Sequence, residues 1–328
     1  MDEFSFIRSI QPRYYRQPSL IKGISDDGAV IRPFGEDFVT AVDTMVEGVH
    51  FTKETMPPFY IGHRVLAANI SDLAAMGSTP VFYMVSITIP HHWREVELKS
   101  LYEGMKLLAD DYQMDLIGGD TVSGRDLSVT VTVMGTVAKN KARYRSAARP
   151  GDILFVTGTL GDSRGGLEWL LHEERPQSED AAYLVKRHRS PEPRVAFAEN
   201  LAHLSRMALN DVSDGIANEA NEIAEASDVD LEIAADKLPY SDALANCYPD
   251  QYEEWLLSGG EDFELLGTIP EEDWPSIQEA ADKTGVAVTK IGRVTQKNGD
   301  VPCVRLRRNH RVDVLGPSGY THLKGEDE

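Results

Sequence analysis

The segment LSVTVTVMGTV at 127–137 alternates more strongly than any other stretch, and it constrains the fold most. Such alternation predicts a β-strand, so the first half of the chain has to build a sheet. Further strands are expected at 29–31, 38–42, 81–89 and 116–117. Helical patterns are expected at 58–76, stopping at Gly77, and at 93–112. A basic, polar stretch at 138–151 closes on Pro150-Gly151 and predicts a linker or exposed turn. Beyond it, strands are expected at 153–157, 208–212, 231–234, 263–268 and 286–294. A glycine-rich turn at 158–166 leads into a helix opening at 167. Further helices are expected at 181–188, 194–207, 216–227, 252–257 and 276–283. The 328 residues therefore divide into two domains, 1–138 and 139–328, of α+β or α/β class. The first is a sheet with two helices, and the second is a mixed α/β domain.

Charge narrows the function. Asp plus Glu number 53 against 33 Lys plus Arg, a formal net charge of −20. A field of that sign repels nucleic acid and anionic membranes, and repels phosphorylated metabolites unless cations intervene. The two cysteines, Cys247 and Cys303, form no CxxC, so neither a zinc knuckle nor a disulfide framework is supported. No basic, then apolar, leader opens the sequence, so the expected compartment is the cytoplasm. No P-loop, GxGxxG or HExxH motif occurs. Gly161-Asp162-Ser163-Arg164-Gly165 does fit the nucleophile elbow GxSxG, which offers Ser163 as a hydrolase nucleophile. However, Gly158-Thr159-Leu160 intervene after the strand, whereas an elbow serine sits at the strand's end.

The position of the acids is more informative than their number. Asp26-Asp27, Asp43, Asp72, Asp120, Asp211 and Asp214 each sit beside apolar residues at an element's end, most with small neighbours. Any one of them alone reads as a turn acid, a cap or a solvated helix face. Together they read as carboxylates converging on a cleft. Like charges gathered in this way need cations to coexist, and an oxygen-only ligand set fits Mg²⁺. A polyphosphate would then be held through metal bridges rather than by a P-loop lysine.

These motifs resemble the thiamine-monophosphate kinase family, within the aminoimidazole-ribonucleotide-synthetase-like ATP-binding superfamily. The matching stretches are SDDGAV at 25–30, DTMVEGVHF at 43–51, NISDLAAMGSTP at 69–80 and IGGDT at 117–121. They continue with Arg145-Ser146, Pro150-Gly151-Asp152, TGTLG at 157–161, DVSDG at 211–215 and SGGEDFEL at 258–265. Order and spacing hold from about residue 4 to residue 322.

The resemblance implies an AIR-synthetase-like fold and a homodimer whose N-terminal sheets pair, with the second domain completing the active site. It implies ATP-dependent phosphorylation of thiamine monophosphate to thiamine diphosphate with several Mg²⁺ ions. It makes Asp27, Asp43, Asp72, Asp120, Asp211 and Asp214 metal ligands. Among these, Asp43, Asp72, Asp120 and Asp211 act catalytically through the metal. Gly119, Asp120, Arg145 and Ser213 become ATP contacts, and His50, Glu261 and Tyr320 surround the substrate. Two departures stand out: Ala41 and Val42 replace residues that usually include a hydroxyl, leaving Val42 only its backbone carbonyl for metal, and Ser25 replaces a glycine. The substrate's own phosphate would be the nucleophile, so no general base is required. The competing readings are a superfamily synthetase or maturation enzyme acting on another phosphoryl acceptor, a serine hydrolase using Ser163, and a non-catalytic magnesium or nucleotide binder. Nucleic acid and membranes are not expected partners.

Overall fold

The computed structural model describes residues 10, 12, 14–22, 30, 31, 35–172, 178–309 and 311–319. The chain forms two compact units. One comprises Met1–Leu73 and Ser78–Ala142, and the other Ala74–Gly77 and Arg143–Glu328. Among the described residues no helix is long and apolar enough to cross a membrane.

In the first unit, β1 (Leu20–Lys22) and β2 (Val30–Ile31) form a small antiparallel pair. The main sheet contains β3 (Asp37–Val46), β4 (Thr79–Pro90), β5 (Asp115–Gly124) and β6 (Ser128–Val137), in the order β3-β6-β4-β5. Only β4 and β5 run parallel. The alternating strand is β6, and its burial alternates without exception. Val129, Val131 and Val133 are fully buried, while Thr130 and Thr132 are only partly covered.

Helices α1 (Pro58–Ala75) and α2 (Glu95–Asp111) complete this unit. They supply the buried side chains Ile61, Leu66, Ile70, Leu98, Leu101 and Met105. Their backbones meet where glycine permits it. A Cβ on Gly62 would collide with the Leu101 carbonyl, and one on Gly104 with the Phe59 carbonyl. This contact sets how α1 lies, and α1 carries two of the site residues.

The second unit is built on seven strands: β7 (Ile153–Thr157), β8 (Ala208–Asp211), β9 (Asp230–Ala234), β10 (Leu265–Ile269), β11 (Val288–Thr295), β12 (Val304–Arg308) and β13 (Arg311–Val314). Their order is β13-β12-β9-β11-β7-β10-β8, and only β12 and β9 are parallel. Every residue of β7 and β10 is buried, because helices cover both faces of the sheet centre. Leu154 and Val156 pack in one core with α6 (Ile216–Ser227). Phe155 points the other way, against Phe197 of α5 (Val195–Asn200) and Trp274 of α9 (Trp274–Thr284). The remaining helices are α3 (Asp162–Leu171), α4 (Glu179–Arg189), α7 (Asp242–Cys247) and α8 (Tyr252–Ser258).

Three local expectations are corrected. The helix expected from 167 starts at Asp162 and contains Gly165 and Gly166. Those glycines serve close packing rather than a turn, since a Cβ on Gly166 would collide with the Leu184 carbonyl of α4. The helix expected at 194–207 is only Val195–Asn200. The carbonyls of Leu201 and Leu204 instead accept from the Arg143 guanidinium, at 2.8 and 2.9 Å. Arg143, expected in an exposed linker, is therefore 5% exposed. Finally, α7, β12 and β13 were not expected from the sequence.

Gly62→Ala should destabilise the protein by about 2–3 kcal/mol, because the added methyl forces α1 and α2 apart. Denaturant unfolding measures this, and an unchanged midpoint would show that the helices do not meet at backbone distance.

Candidate active site

Strand alternation explains how β3 presents Asp43. Val42 is 58% exposed, on one face of the sheet. Asp43 lies on the opposite face, where its carboxyl meets that of Asp72 on α1 in hydrogen-bond contact. Burial pushes the Asp43 carboxyl up, while the bond to Asp72 lowers it. Asn69 fixes the approach. Its Oδ1 accepts from the Asp43 backbone N–H at 2.9 Å, and its Nδ2 donates to the Val65 carbonyl at 2.8 Å. One fully buried side chain thus ties the helix to the strand. Further along, His50 Nδ1 accepts from Val46 N–H at 3.1 Å, so the neutral ring carries its proton on Nε2. Glu47 in the same motif is structural: it accepts from Trp93 Nε1 at 2.9 Å and from Leu127 N at 3.2 Å.

Gly119 and Asp120 lie on β5. A Cβ on Gly119 would collide with the Val85 carbonyl of β4. Pairing puts Asp120 opposite Ser86, Ser86 opposite Thr130, and Thr130 opposite Thr44. Asp120 therefore stands on the face away from Asp43 and Asp72, exposed, and accepts from Thr121 N at 2.9 Å. The structure joins Asp43 to Asp72 but does not bring Asp120 to them.

The second unit brings together motifs far apart in sequence. Segments 211–215 and 259–264 are joined by three backbone hydrogen bonds: Glu261 N to Ser213 O at 2.6 Å, Phe263 N to Val212 O at 2.9 Å, and Val212 N to Glu264 O at 2.7 Å. Glu261 and Phe263 take positive φ values of 66° and 51°, which are costly for non-glycine residues. Gly260 allows the approach, since a Cβ there would lie 2.5 Å from Ser213 O. Gly319, next to Tyr320 in sequence, lies against the Asp214 carbonyl. Arg145 joins this group: its Nε donates to Asn210 Oδ1 at 2.8 Å, and its Nη2 lies 3.3 Å from Glu222. Asp27 and Tyr320 lie outside the described residues.

Several residues that matter to this arrangement were not singled out by sequence reasoning. Glu219 Oε1 accepts from Ser213 N at 3.2 Å and Asp214 N at 2.8 Å. Burial, with the nearby charges of Asp211 and Asp214, pushes its carboxyl up to about 8. Glu264 receives Arg194 at 2.7 and 2.6 Å, Arg187 at 2.9 Å and Thr157 at 2.7 Å. Burial alone would raise its carboxyl, but the bond and charge of Arg194 and the charge of Arg187 hold it below the usual value. Asp262 accepts from Gly161 N at 2.6 Å and Ser163 N at 3.0 Å, linking the GED motif to the start of α3. The available signal was an acid in the first turn of the helix after DVSDG, and acids within a Gly-Gly motif.

Ser163 is 1% exposed and its Oγ lies 3.2 Å from Nδ1 of equally buried His188. It lies inside the first turn of α3, six residues beyond the end of β7. The elbow reading therefore fails, because no substrate reaches this hydroxyl.

Among the described residues, no three His, Cys, Asp or Glu side chains gather tightly enough to hold an ion by themselves. The touching carboxyls of Asp43 and Asp72 do suit a hard cation, which would relieve the repulsion that otherwise demands a shared proton.

Two family models match the chain: the AIR synthase related protein N-terminal domain over residues 25–137, and the C-terminal domain over residues 149–304. The thiamine-monophosphate kinase of Bacillus subtilis is 47% identical over 99% of this chain and 100% of its own length. The chain belongs to the thiamine-monophosphate kinase family. It is an enzyme with the AIR-synthase-like two-domain fold of that family. The crystal structure of thiamine-monophosphate kinase from Stenotrophomonas maltophilia superposes with a TM-score of 0.83, at 34% identity, over 93% of this chain and 96% of that one. AaThiL complexed with AMPPCP and TMP superposes at 0.77, with 30% identity and 92% coverage of both chains.

Burial first, then the charge of Asp162, pushes the Asp262 carboxyl up to about 8. The folded protein keeps this proton where the unfolded chain has released it, so the group contributes stability that is lost as pH rises from about 4 to about 8. The wild type should lose thermal stability relative to Asp262→Asn across that window. A pH-independent difference between the two melting curves would contradict a proton held at Asp262.

Proposed function

We propose that this kinase transfers the γ-phosphoryl group of ATP to the phosphate of thiamine monophosphate, giving ADP and thiamine diphosphate. The contact between Asp43 and Asp72, on a chain of net charge −20, carries the reading of a metal-assisted phosphoryl-transfer site. The likeness to a complex with AMPPCP and TMP supports the substrate pair.

In this reading Asp27, Asp43, Asp72, Asp211 and Asp214 supply carboxylate oxygens to several Mg²⁺ ions, with the Val42 carbonyl as an auxiliary donor, and Asp120, on the sheet face opposite Asp43 and Asp72, serves a different ion from theirs. Bound Mg²⁺ neutralises charge between two polyanions. Gly119 and Asp120 contact ATP. Ser213 contributes its hydroxyl, and Arg145 directs its guanidinium to phosphate oxygens. Asn210 and Glu222 hold Arg145 in place for that task. The acceptor phosphate is mostly dianionic at neutral pH, so it attacks without a general base. Direct in-line transfer inverts configuration at the transferred phosphorus; retention would indicate a phosphoenzyme.

His50 offers its Nε2–H to the substrate. Glu261 accepts from the aminopyrimidine or offsets the thiazolium charge, and Tyr320 stacks on a ring. A homodimer is part of the proposal. It is supported by the exposed sheet face bearing Phe38, Val42 and Val122, exposed at 41%, 58% and 49%, and by the outer position of β3 in the sheet. The working compartment is the cytoplasm.

The test is a chromatographic assay with ATP, Mg²⁺ and thiamine monophosphate, beside thiamine and an EDTA control. Thiamine diphosphate should form only from the monophosphate and only with metal. Tight nucleotide binding without this product would move the search to another acceptor. Glu261→Ala should raise the KM for thiamine monophosphate about tenfold and leave that for ATP within about twofold. Equal effects on both would remove Glu261 from the substrate site.

A further inference from the structure

A turn that leads into a helix N-terminus ordinarily offers its backbone N–H groups to a bound anion. The 211–215 turn before α6 cannot do so at Ser213 and Asp214. Both N–H groups donate to Glu219 Oε1, at 3.2 and 2.8 Å, and the Ser213 hydroxyl lies 3.4 Å from the same oxygen. Glu219 stands in the first turn of α6 and is 1% exposed. Its Oε2 has no hydrogen-bond partner among the described residues. The opposite edge of the turn is held at the Ser213 carbonyl by Glu261 N–H at 2.6 Å. The peptide groups around Ser213 are thus gripped from two sides, by a buried carboxyl group and by the Gly-Gly segment. The acceptor these N–H groups use is part of the protein, so the turn is a mount for side-chain oxygens rather than a cradle for phosphate.

We infer that Glu219 is a positioning residue: its carboxylate clamps the 211–215 turn from inside and fixes how Asp211, Ser213 and Asp214 present their oxygens to the metal-bound nucleotide. This rests on the proposed reading of Asp211 and Asp214 as metal ligands. Removing the clamp leaves two inward N–H groups without an acceptor, and the turn must rotate to find others. An amide oxygen at the same reach can replace the carboxylate as acceptor, so geometry rather than charge is what the site needs from this residue.

The experiment measures Mn²⁺ binding to the full chain by electron paramagnetic resonance, with a non-hydrolysable ATP analogue present. It compares the wild type with Asp214→Asn, Glu219→Ala, Glu219→Asp and Glu219→Gln. Glu219→Ala should weaken Mn²⁺ binding about 10–100-fold, as loss of a ligand-orienting partner does. Glu219→Asp keeps the carboxyl group but withdraws the oxygen, and should lose as much. Glu219→Gln should stay within about threefold of the wild type. If Glu219→Ala does not fold, the Asp and Gln variants carry the comparison. Wild-type binding in Glu219→Asp, or equal losses in Asp and Gln, overturns the clamp while Asp214→Asn still loses metal. Undiminished binding in Asp214→Asn overturns the underlying ligand assignment as well.

Discussion

The arrangement depends on carboxylates held closer than water would hold them. Asp43 and Asp72 touch, and Glu219 is buried within the field of Asp211 and Asp214. Like charges in such positions coexist only with a proton or a cation between or beside them. Folding therefore has to force these groups together and keep them there. Asn69 does this in the first unit by binding strand backbone and helix backbone at once. The glycine contact between α1 and α2 does it from behind. An oxygen-only, partly buried acid pair needs a hard cation to be fully ionised, and a phosphate chain can share that cation.

The second unit solves the same problem with buried ion pairs. Glu264 is gripped by Arg187 and Arg194, while Asp262 accepts from the first backbone N–H groups of α3. These contacts hold the segment carrying Glu261 in a left-handed conformation that a lone glutamate would leave. The strain sits at the residue proposed to meet the substrate, where a rigid network beneath it would pre-organise that side chain. Buried pairs of this kind contribute little net stability but lose much when one partner is removed, so the network acts mainly to fix position.

Much of this was legible in the sequence. The valine–threonine alternation of β6 announced its sheet, whereas the convergence expected of Asp120 with Asp43 and Asp72 is not found. The pairing of Asp43 with Asp72 was implied by motif resemblance, whereas its cause, Asn69, was not, because an asparagine inside a helix ordinarily reads as a polar surface residue. Gly165 and Gly166 were read as a turn because glycine signals both bends and close packing, and only the position of Leu184 tells the two apart. Arg143 was read as one charge in a basic run. Its burial follows from the carbonyls of Leu201 and Leu204 that accept from its guanidinium, a contact local sequence cannot reveal. The separation of Asp120 from Asp43 onto opposite sheet faces depends on register across four strands, beyond any local pattern.

If the acids are held together for a cation, relieving the repulsion and losing the cation must go together. Thermal unfolding of the wild type and Asp43→Asn, each in EDTA and in Mg²⁺ with a non-hydrolysable ATP analogue, measures both. In EDTA the variant should be at least as stable as the wild type, since a buried like-charge contact has been relieved. With metal and nucleotide the wild type should gain several degrees and the variant far less. A variant less stable in EDTA, yet with the full gain from metal and nucleotide, would show that the Asp43–Asp72 contact is structural and that the cation is held elsewhere.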